Sequence, residues 1–265
     1  MKTAKILTHV LLICALVGCT TSPTGRKQMK IIPEAQMDKM GEQSFAQLKK
    51  ESKVDKNKSN QAFVQCVTNA LIPSLPANYA NEKWEVVVFV DKSPNAFALP
   101  GGKIGVNTGM ITLVSGQDEL AVVLGHELAH VVAGHGNERV STQMATDLGI
   151  NLLAASAGSS GMNADRAASL LGAGAQLGLL LPFSRTQESE ADKMGLIYMA
   201  NAGFNPQASI TLWNKMAAQG KEQPEFLQTH PASKNRVKQF ETWMFDAESD
   251  YNFAKRSGKV PKCVK

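Results

Sequence analysis

Apolar residues recur at helical spacing over residues 34–50 and again over 60–72. The polar stretch ESKVDKNKSN lies between the two, and Pro73 and Pro76 stop the second. The pattern then changes. KWEVVVFV, residues 83–90, is β-branched and aromatic and predicts a strand. SPNAFALPGGKIGVNTGMI predicts an extended piece over 96–99, a Pro-Gly-Gly turn and a second extended piece over 103–107. Residues 117–135 predict a strongly apolar helix, with Asp118 and Glu119 in its first turn at the positive end of the dipole. Helices, then a small sheet, then helices predict an α+β, mainly helical fold. The roughly 230 residues after the N-terminal segment suffice for one domain with a full core, and no internal repeat is visible.

The N-terminal segment sets the compartment. In MKTAKILTHVLLICALVGC, Lys2 and Lys5 precede an apolar run from Val10 to Val17 that is too short to span a bilayer, so it reads as a secretory signal. Its end, Leu16-Val17-Gly18-Cys19, resembles a bacterial lipobox, in which Cys19 becomes the lipidated first residue of the mature chain. The alternative is an ordinary signal peptide with an accidental cysteine. Thr20 stands where an aspartate would resemble an inner-membrane retention signal, so the resemblance implies an outer-membrane lipoprotein facing the periplasm. TTSPTGRKQ reads as a polar tether in which Pro and Gly discourage regular structure. The expected organisation is a signal over 1–18, lipidated cysteine and tether over 19–32, and one domain over 33–265.

The formal net charge is +5, and +3 once Lys2 and Lys5 leave with residues 1–18. There is no concentrated basic run with interleaved aromatics, so nucleic acid is excluded as a partner. Lys49, Lys50, Lys53, Lys56 and Lys58 are interrupted by Glu51 and Asp55 and read as a solvated helix end and loop. Of four cysteines, Cys14 leaves with the signal and Cys19 carries the lipid, which leaves Cys66 and Cys263. Two thiols in an oxidising compartment predict a disulfide across a very long loop.

GHELAHVVAGH, residues 125–135, holds the candidate chemistry. On a helix His126 and His130 project from one face and can bind one ion. Glu127 adjoins the first and can take a proton from water at the ion's open position, for attack on a carbonyl. HExxH is short and recurs by chance, but two histidines and a glutamate are costly inside so apolar a helix without partners. A histidine at position 136 would continue one common zinc motif, and a glutamate nineteen residues after His130 another. The chain has Gly136 and Gly149 there. His135 is out of register and reads as a helix C-terminal histidine favourable to the dipole. Glu138 cannot reach the ion if that helix persists. The next dense acidic cluster is RTQESEADKMG, residues 185–195.

HELAH followed some fifty residues later by SRTQESEAD resembles the minigluzincin zinc metallopeptidases of the HtpX and CAAX-prenyl-protease family, and among them the exported LoiP and BepA type. PNAFALPGGKIGVNTGMI, THPASKNR and PTGRKQ after a lipobox cysteine agree with it. The resemblance covers most of residues 23–240 and implies a zincin-type domain with a small sheet beside the HExxH helix. It implies one zinc per chain on His126, His130 and Glu188, with Asp192 supporting a ligand from behind and His230 and Arg236 as accessory groups. His230 either stabilises the oxyanion or plugs the ion's open position at rest.

Helical geometry agrees with that choice within ESEAD. Glu188 and Asp192 share a face with Ala191 and Gly195, whose small size permits close approach to the metal helix. Asp192, with its shorter reach, suits the second N–H of a zinc-bound histidine. Glu190 lies about 200° from Glu188 and reads as surface or a local ion pair. Between the two motifs, the Gly/Ala-rich stretch of residues 150–183 is either a set of closely packed small-residue helices or a membrane hairpin. The reading is a zinc endopeptidase acting on misfolded or unassembled envelope proteins, whose extended substrate adds to the edge at Asn95, Ala96, Phe97 and Ala98. The rival is a non-catalytic chaperone or assembly lipoprotein that keeps the fold.

Overall fold

The computed structural model describes residues 19–156, 182–218, 225–231 and 235–265. The described residues open with an antiparallel hairpin, β1 (Cys19–Thr21) and β2 (Lys27–Met29). Helices α1 (Glu34–Glu51), α2 (Lys58–Leu71) and α3 (Ala77–Ala80) follow. A three-stranded sheet is made of β3 (Glu85–Phe89), β4 (Ala96–Leu99) and β5 (Lys103–Asn107). The rest is helical: α4 (Thr108–Leu113), α5 (Gln117–Ala133), α6 (His135–Ser156), α7 (Arg185–Asn201), α8 (Ala208–Ala217), α9 (Glu225–Thr229) and α10 (Arg236–Arg256). The architecture is the expected α+β, mainly helical one.

In the sheet β5 lies in the middle, parallel to β3 and antiparallel to β4, with Ala96 opposite Val106 and Leu99 opposite Lys103. That order leaves β4 at an edge.

Helix α5 is the centre of the domain. Every residue from Glu119 to Ala133 is buried, as suits a helix that is apolar all round. It packs against α2, α7, α8 and β4. Its crossing with α7 is close because two glycines meet there. A Cβ on Gly125 would stand 2.9 Å from the Gly195 carbonyl oxygen, and one on Gly195 2.7 Å from the His126 amide nitrogen. Helix α7 starts at a capping box, in which the Ser184 side chain and the Gln187 amide reciprocally satisfy the free backbone groups.

Two expectations change here. The helix predicted over 117–135 ends at Ala133, because Gly134 adopts the left-handed conformation (φ +69°) and α6 begins at once with His135. Residues 19–32 are not a plain tether either. The Pro-Gly segment makes a turn, in which the Ser22 amide donates to the Arg26 carbonyl and the Gly25 amide to the Ser22 carbonyl. The hairpin docks on α6 and α7 through its side chains. The signal reading of residues 1–18 and the hairpin reading of the Gly/Ala-rich stretch concern, for the most part, residues outside those described. Among the described residues, no helix is long and apolar enough to cross a membrane.

Cys66 on α2 and Cys263 in the C-terminal tail form a disulfide, with Cα atoms 5.6 Å apart and a sequence separation of 197. Gln117 holds the tail in place, accepting from the Cys263 amide (2.7 Å) and donating to the Pro261 carbonyl (3.0 Å). Neither thiol is expected to react with an alkylating agent until a reductant is added. Cys66→Ala should lower unfolding free energy by as much as about 4–5 kcal/mol, the chain-entropy limit for so long a loop. Mass spectrometry of the alkylated protein and thermal melting check both.

Candidate metal centre

Two helices bring the donors together. The four-residue spacing on α5 points His126 and His130 the same way, and the first turn of α7 lays Glu188 across them. His230, just after α9, supplies a fourth donor. Their ligand atoms all lie within 4.8 Å of one another, and all four side chains are buried.

The spacing between donors fits zinc. Donors on a tetrahedral zinc at about 2.0–2.1 Å stand roughly 3.3 Å apart. His130 Nε2 lies 3.0 Å from His126 Nε2 and 3.3 Å from Glu188 Oε1. His126 Nε2 lies 3.5 Å from Glu188 Oε2 and 3.2 Å from His230 Nδ1, which is 3.0 Å from Glu188 Oε1. Three imidazoles and one carboxylate at these separations are a zinc-type donor set.

The groups behind the donors are charged and paired. Asp192 Oδ1 is 2.9 Å from His126 Nδ1. Arg236 grips Asp192 at both oxygens (2.6 and 2.7 Å) and donates to Glu188 Oε2 at 2.9 Å, while its guanidinium lies 3.5 Å above the Trp213 ring. Burial opposes the charge on Glu188, but three histidines around it hold its carboxyl far below the usual range. Burial likewise opposes protonation of His126, and Glu188 with Asp192 outweighs it, raising that imidazole to about 9 without metal. His130 is driven the other way by its burial. Phe183 stacks on the His130 ring at 3.9 Å, and Phe226 on His230 at 4.4 Å.

Glu127 is also buried, and burial raises its carboxyl. Its Oε1 makes no hydrogen bond among the described residues, and His230 Nε2 stands 3.4 Å away. Both Glu127 and His230 line a cleft of about 530 Å³ whose wall includes Asn95 through Leu99 on and beside β4. Of the residues that the sequence nominated, Glu127, His130, His230 and Asn95 to Ala98 line this cleft, while His126, Glu188, Asp192 and Arg236 sit behind it, linked to His130 and His230 by the contacts above. Cys19, Cys66 and Cys263 lie elsewhere in the chain.

Three residues were misread or missed. His135 is not a helix C-terminal cation. As the first residue of α6 it is fully buried, its Nδ1 lies 2.8 Å from His130 Nδ1, and burial lowers its pKa. Of the two readings of Glu190, surface or ion pair, the structure bears out the ion pair, with partners distant in sequence. It is buried, 3.1 Å from His135 Nε2, and receives Arg26 Nε at 2.8 Å. Arg26, taken for part of a tether, also binds both oxygens of Glu138 (2.6 and 2.7 Å). The one available signal was Gly134, a residue typical of a helix end, which would have broken the register that put His135 on the helix terminus.

The sequence matches the family described as peptidase family M48 over residues 58–244. It is 44% identical over 169 residues to the mitochondrial metalloendopeptidase OMA1 of Schizosaccharomyces pombe, covering 63% of this chain and 48% of that protein. It is 32% identical over 228 residues to the Arabidopsis thaliana protein of that name, covering 83% and 44%. It is 30% identical over 212 residues to the beta-barrel assembly-enhancing protease of Yersinia pestis, covering 73% and 42%. The chain thus spans less than half the length of these relatives. Because the family match runs from the start of α2 well into α10, with all four donors and Glu127 inside it, the chain belongs to peptidase family M48.

Proposed function

We propose that the protein is a zinc-dependent endopeptidase, with His126, His130 and Glu188 holding the metal and Glu127 acting as general base. The observation that carries this reading is the buried Glu127 carboxylate, whose Oε1 makes no hydrogen bond among the described residues, beside a zinc-type donor set and opening on a cleft walled by an edge strand. Zinc, when bound, supplies Lewis-acid polarisation of the scissile carbonyl and acidifies water at its open position.

The chain's own residues do the rest. Glu127 accepts a proton from the attacking water and returns it to the leaving amine. Its raised carboxyl makes it a stronger base than an exposed glutamate. Asp192, held by Arg236, fixes the tautomer and tilt of His126. An extended peptide pairing with the free side of β4 passes over Glu127 and His230. His230 Nδ1 stands at the fourth corner of the donor set, which favours a resting plug that must swing aside, over a permanent oxyanion donor.

The lipobox at Cys19 supports anchoring on the periplasmic side of an outer membrane, and the bacterial relative's name supports envelope proteins as substrates. A non-catalytic chaperone of the same fold is the rival, but it gives no reason for a buried carboxylate set against a zinc-type donor set at the mouth of a cleft.

Casein cleavage that a chelator abolishes and zinc restores is the deciding experiment. An inactive, zinc-loaded wild-type protein would favour the chaperone. Glu127→Gln should retain zinc and lower kcat by about 10²–10⁴-fold, since the amide keeps the shape and cannot take the proton. Glu188→Gln should lose zinc and activity together, and Asp192→Asn should weaken zinc binding by roughly 10–100-fold. Metal analysis of the purified variants separates the roles. Cys19→Ser should abolish lipidation and membrane fractionation while peptide hydrolysis by the purified protein survives, because the serine preserves the β1–β2 pairing. An unchanged membrane fraction would show a second anchor.

A further inference from the structure

His130 faces the donor set through Nε2, so its Nδ1 is left pointing away from the metal. What stands behind it is neither a backbone carbonyl nor a carboxylate, but another imidazole. His135 Nδ1 is 2.8 Å from His130 Nδ1, and His135 Nε2 is 3.1 Å from Glu190 Oε2. With both imidazoles neutral and Glu190 ionised, one proton arrangement satisfies both contacts. His130 donates from Nδ1, His135 accepts at Nδ1, and His135 donates from Nε2 to Glu190. That arrangement leaves the lone pair of His130 Nε2 toward the metal. Glu190 also accepts Arg26 Nε at 2.8 Å and the Thr24 hydroxyl at 2.5 Å. Arg26 is anchored in turn on Glu138, and Glu138 accepts Gln187 Nε2 at 2.7 Å.

We propose that His135, Glu190 and Arg26 form a positioning chain that orients His130 for metal binding, and that the N-terminal hairpin thereby clamps the metal centre. The inference rests on the ligand assignment made under the proposed function. The two metal histidines are then held by different means. His126 leans on Asp192 and Arg236 within the helical core. His130 leans on a chain that ends in a strand-turn-strand segment more than a hundred residues away in sequence. His135 has no exposed surface, so this chain is shielded from water at its metal end. Arg26 retains about a fifth of its side-chain exposure, so it can be altered with little disturbance of the core.

The test measures how fast zinc leaves the full-length protein for a chromophoric chelator, and the visible absorption of the cobalt-substituted form. His135→Phe keeps a ring and removes the acceptor. It should release zinc roughly 10–100-fold faster and shift the cobalt bands. Arg26→Gln should move both readouts in the same direction by less, and should add nothing in a His135→Phe background, because its effect travels through that histidine. If His135→Phe does not fold, Glu190→Gln takes its place in the cycle. Lys215→Gln, which breaks an ion pair with Glu119 outside this chain (2.6 Å), is the control for general destabilisation and should leave zinc release unchanged. Wild-type release and cobalt spectra in the Arg26 and His135 variants would overturn the proposal, as would independent effects in the double variant. A wild-type protein that binds no zinc, or a Glu188→Gln variant that still holds it, would instead overturn the ligand assignment.

Discussion

The close crossing of α5 and α7 is the contact on which the rest of the structure depends. Helix axes pack 8–10 Å apart according to the side chains between them, and here Gly125 and Gly195 leave backbone against backbone. At that distance Glu188, a side chain of only moderate length, reaches across two histidines, and the shorter Asp192 reaches the far nitrogen of one of them. A single methyl group at either glycine would push the helices apart and take carboxylates and imidazoles out of range together. The donor set is thus a consequence of helix packing, and the helices pack closely because each lacks a side chain at the same point.

Such a site carries a large electrostatic burden. Four carboxylates, four imidazoles and a guanidinium are buried within two connected clusters. Burying charge is costly unless each group is paired, and nearly every group here is. Arg236 offsets Asp192 and Glu188 on one side, and Arg26 offsets Glu190 on the other. Glu127 is held more loosely, with an oxygen that makes no hydrogen bond among the described residues, His230 Nε2 at 3.4 Å from it and a carboxyl raised by burial. This carboxylate faces the cleft that β4 walls, as the proposed role of a general base requires.

The cleft, the edge strand and the hairpin then form a consistent layout. The sheet order puts β4 at an edge beside α5, along the same cleft as Glu127 and His230. The hairpin closes the opposite side of α7 and covers a face that would otherwise expose Glu190 to solvent. If Cys19 is lipidated, the anchor joins the chain within the segment that supports His130.

Much of this was legible in the sequence because it is local. The spacing of His126 and His130, the apolar run around them, the β-branched stretch before Asp91 and the small residues beside Glu188 and Asp192 each reflect the 3.6-residue or two-residue period of one element. Period alone says which side chains share a face, and that is sufficient for the donors on α5 and α7. It does not say what covers the other face. Glu190 points away from Glu188, and a helical wheel makes that the solvent side. Burial came from the N-terminal hairpin, more than 160 residues away in sequence. His135 was misplaced for a related reason: one residue of left-handed backbone at Gly134 ended the helix and turned the imidazole beneath His130. The sequence by itself determined the pair His126 and His130 on one helix face and, through its resemblance to a family, the choice of Glu188 beside them. Only the tertiary structure decided which distant charges neutralise them, because such pairing depends on how elements pack in space and not on the period of any one of them.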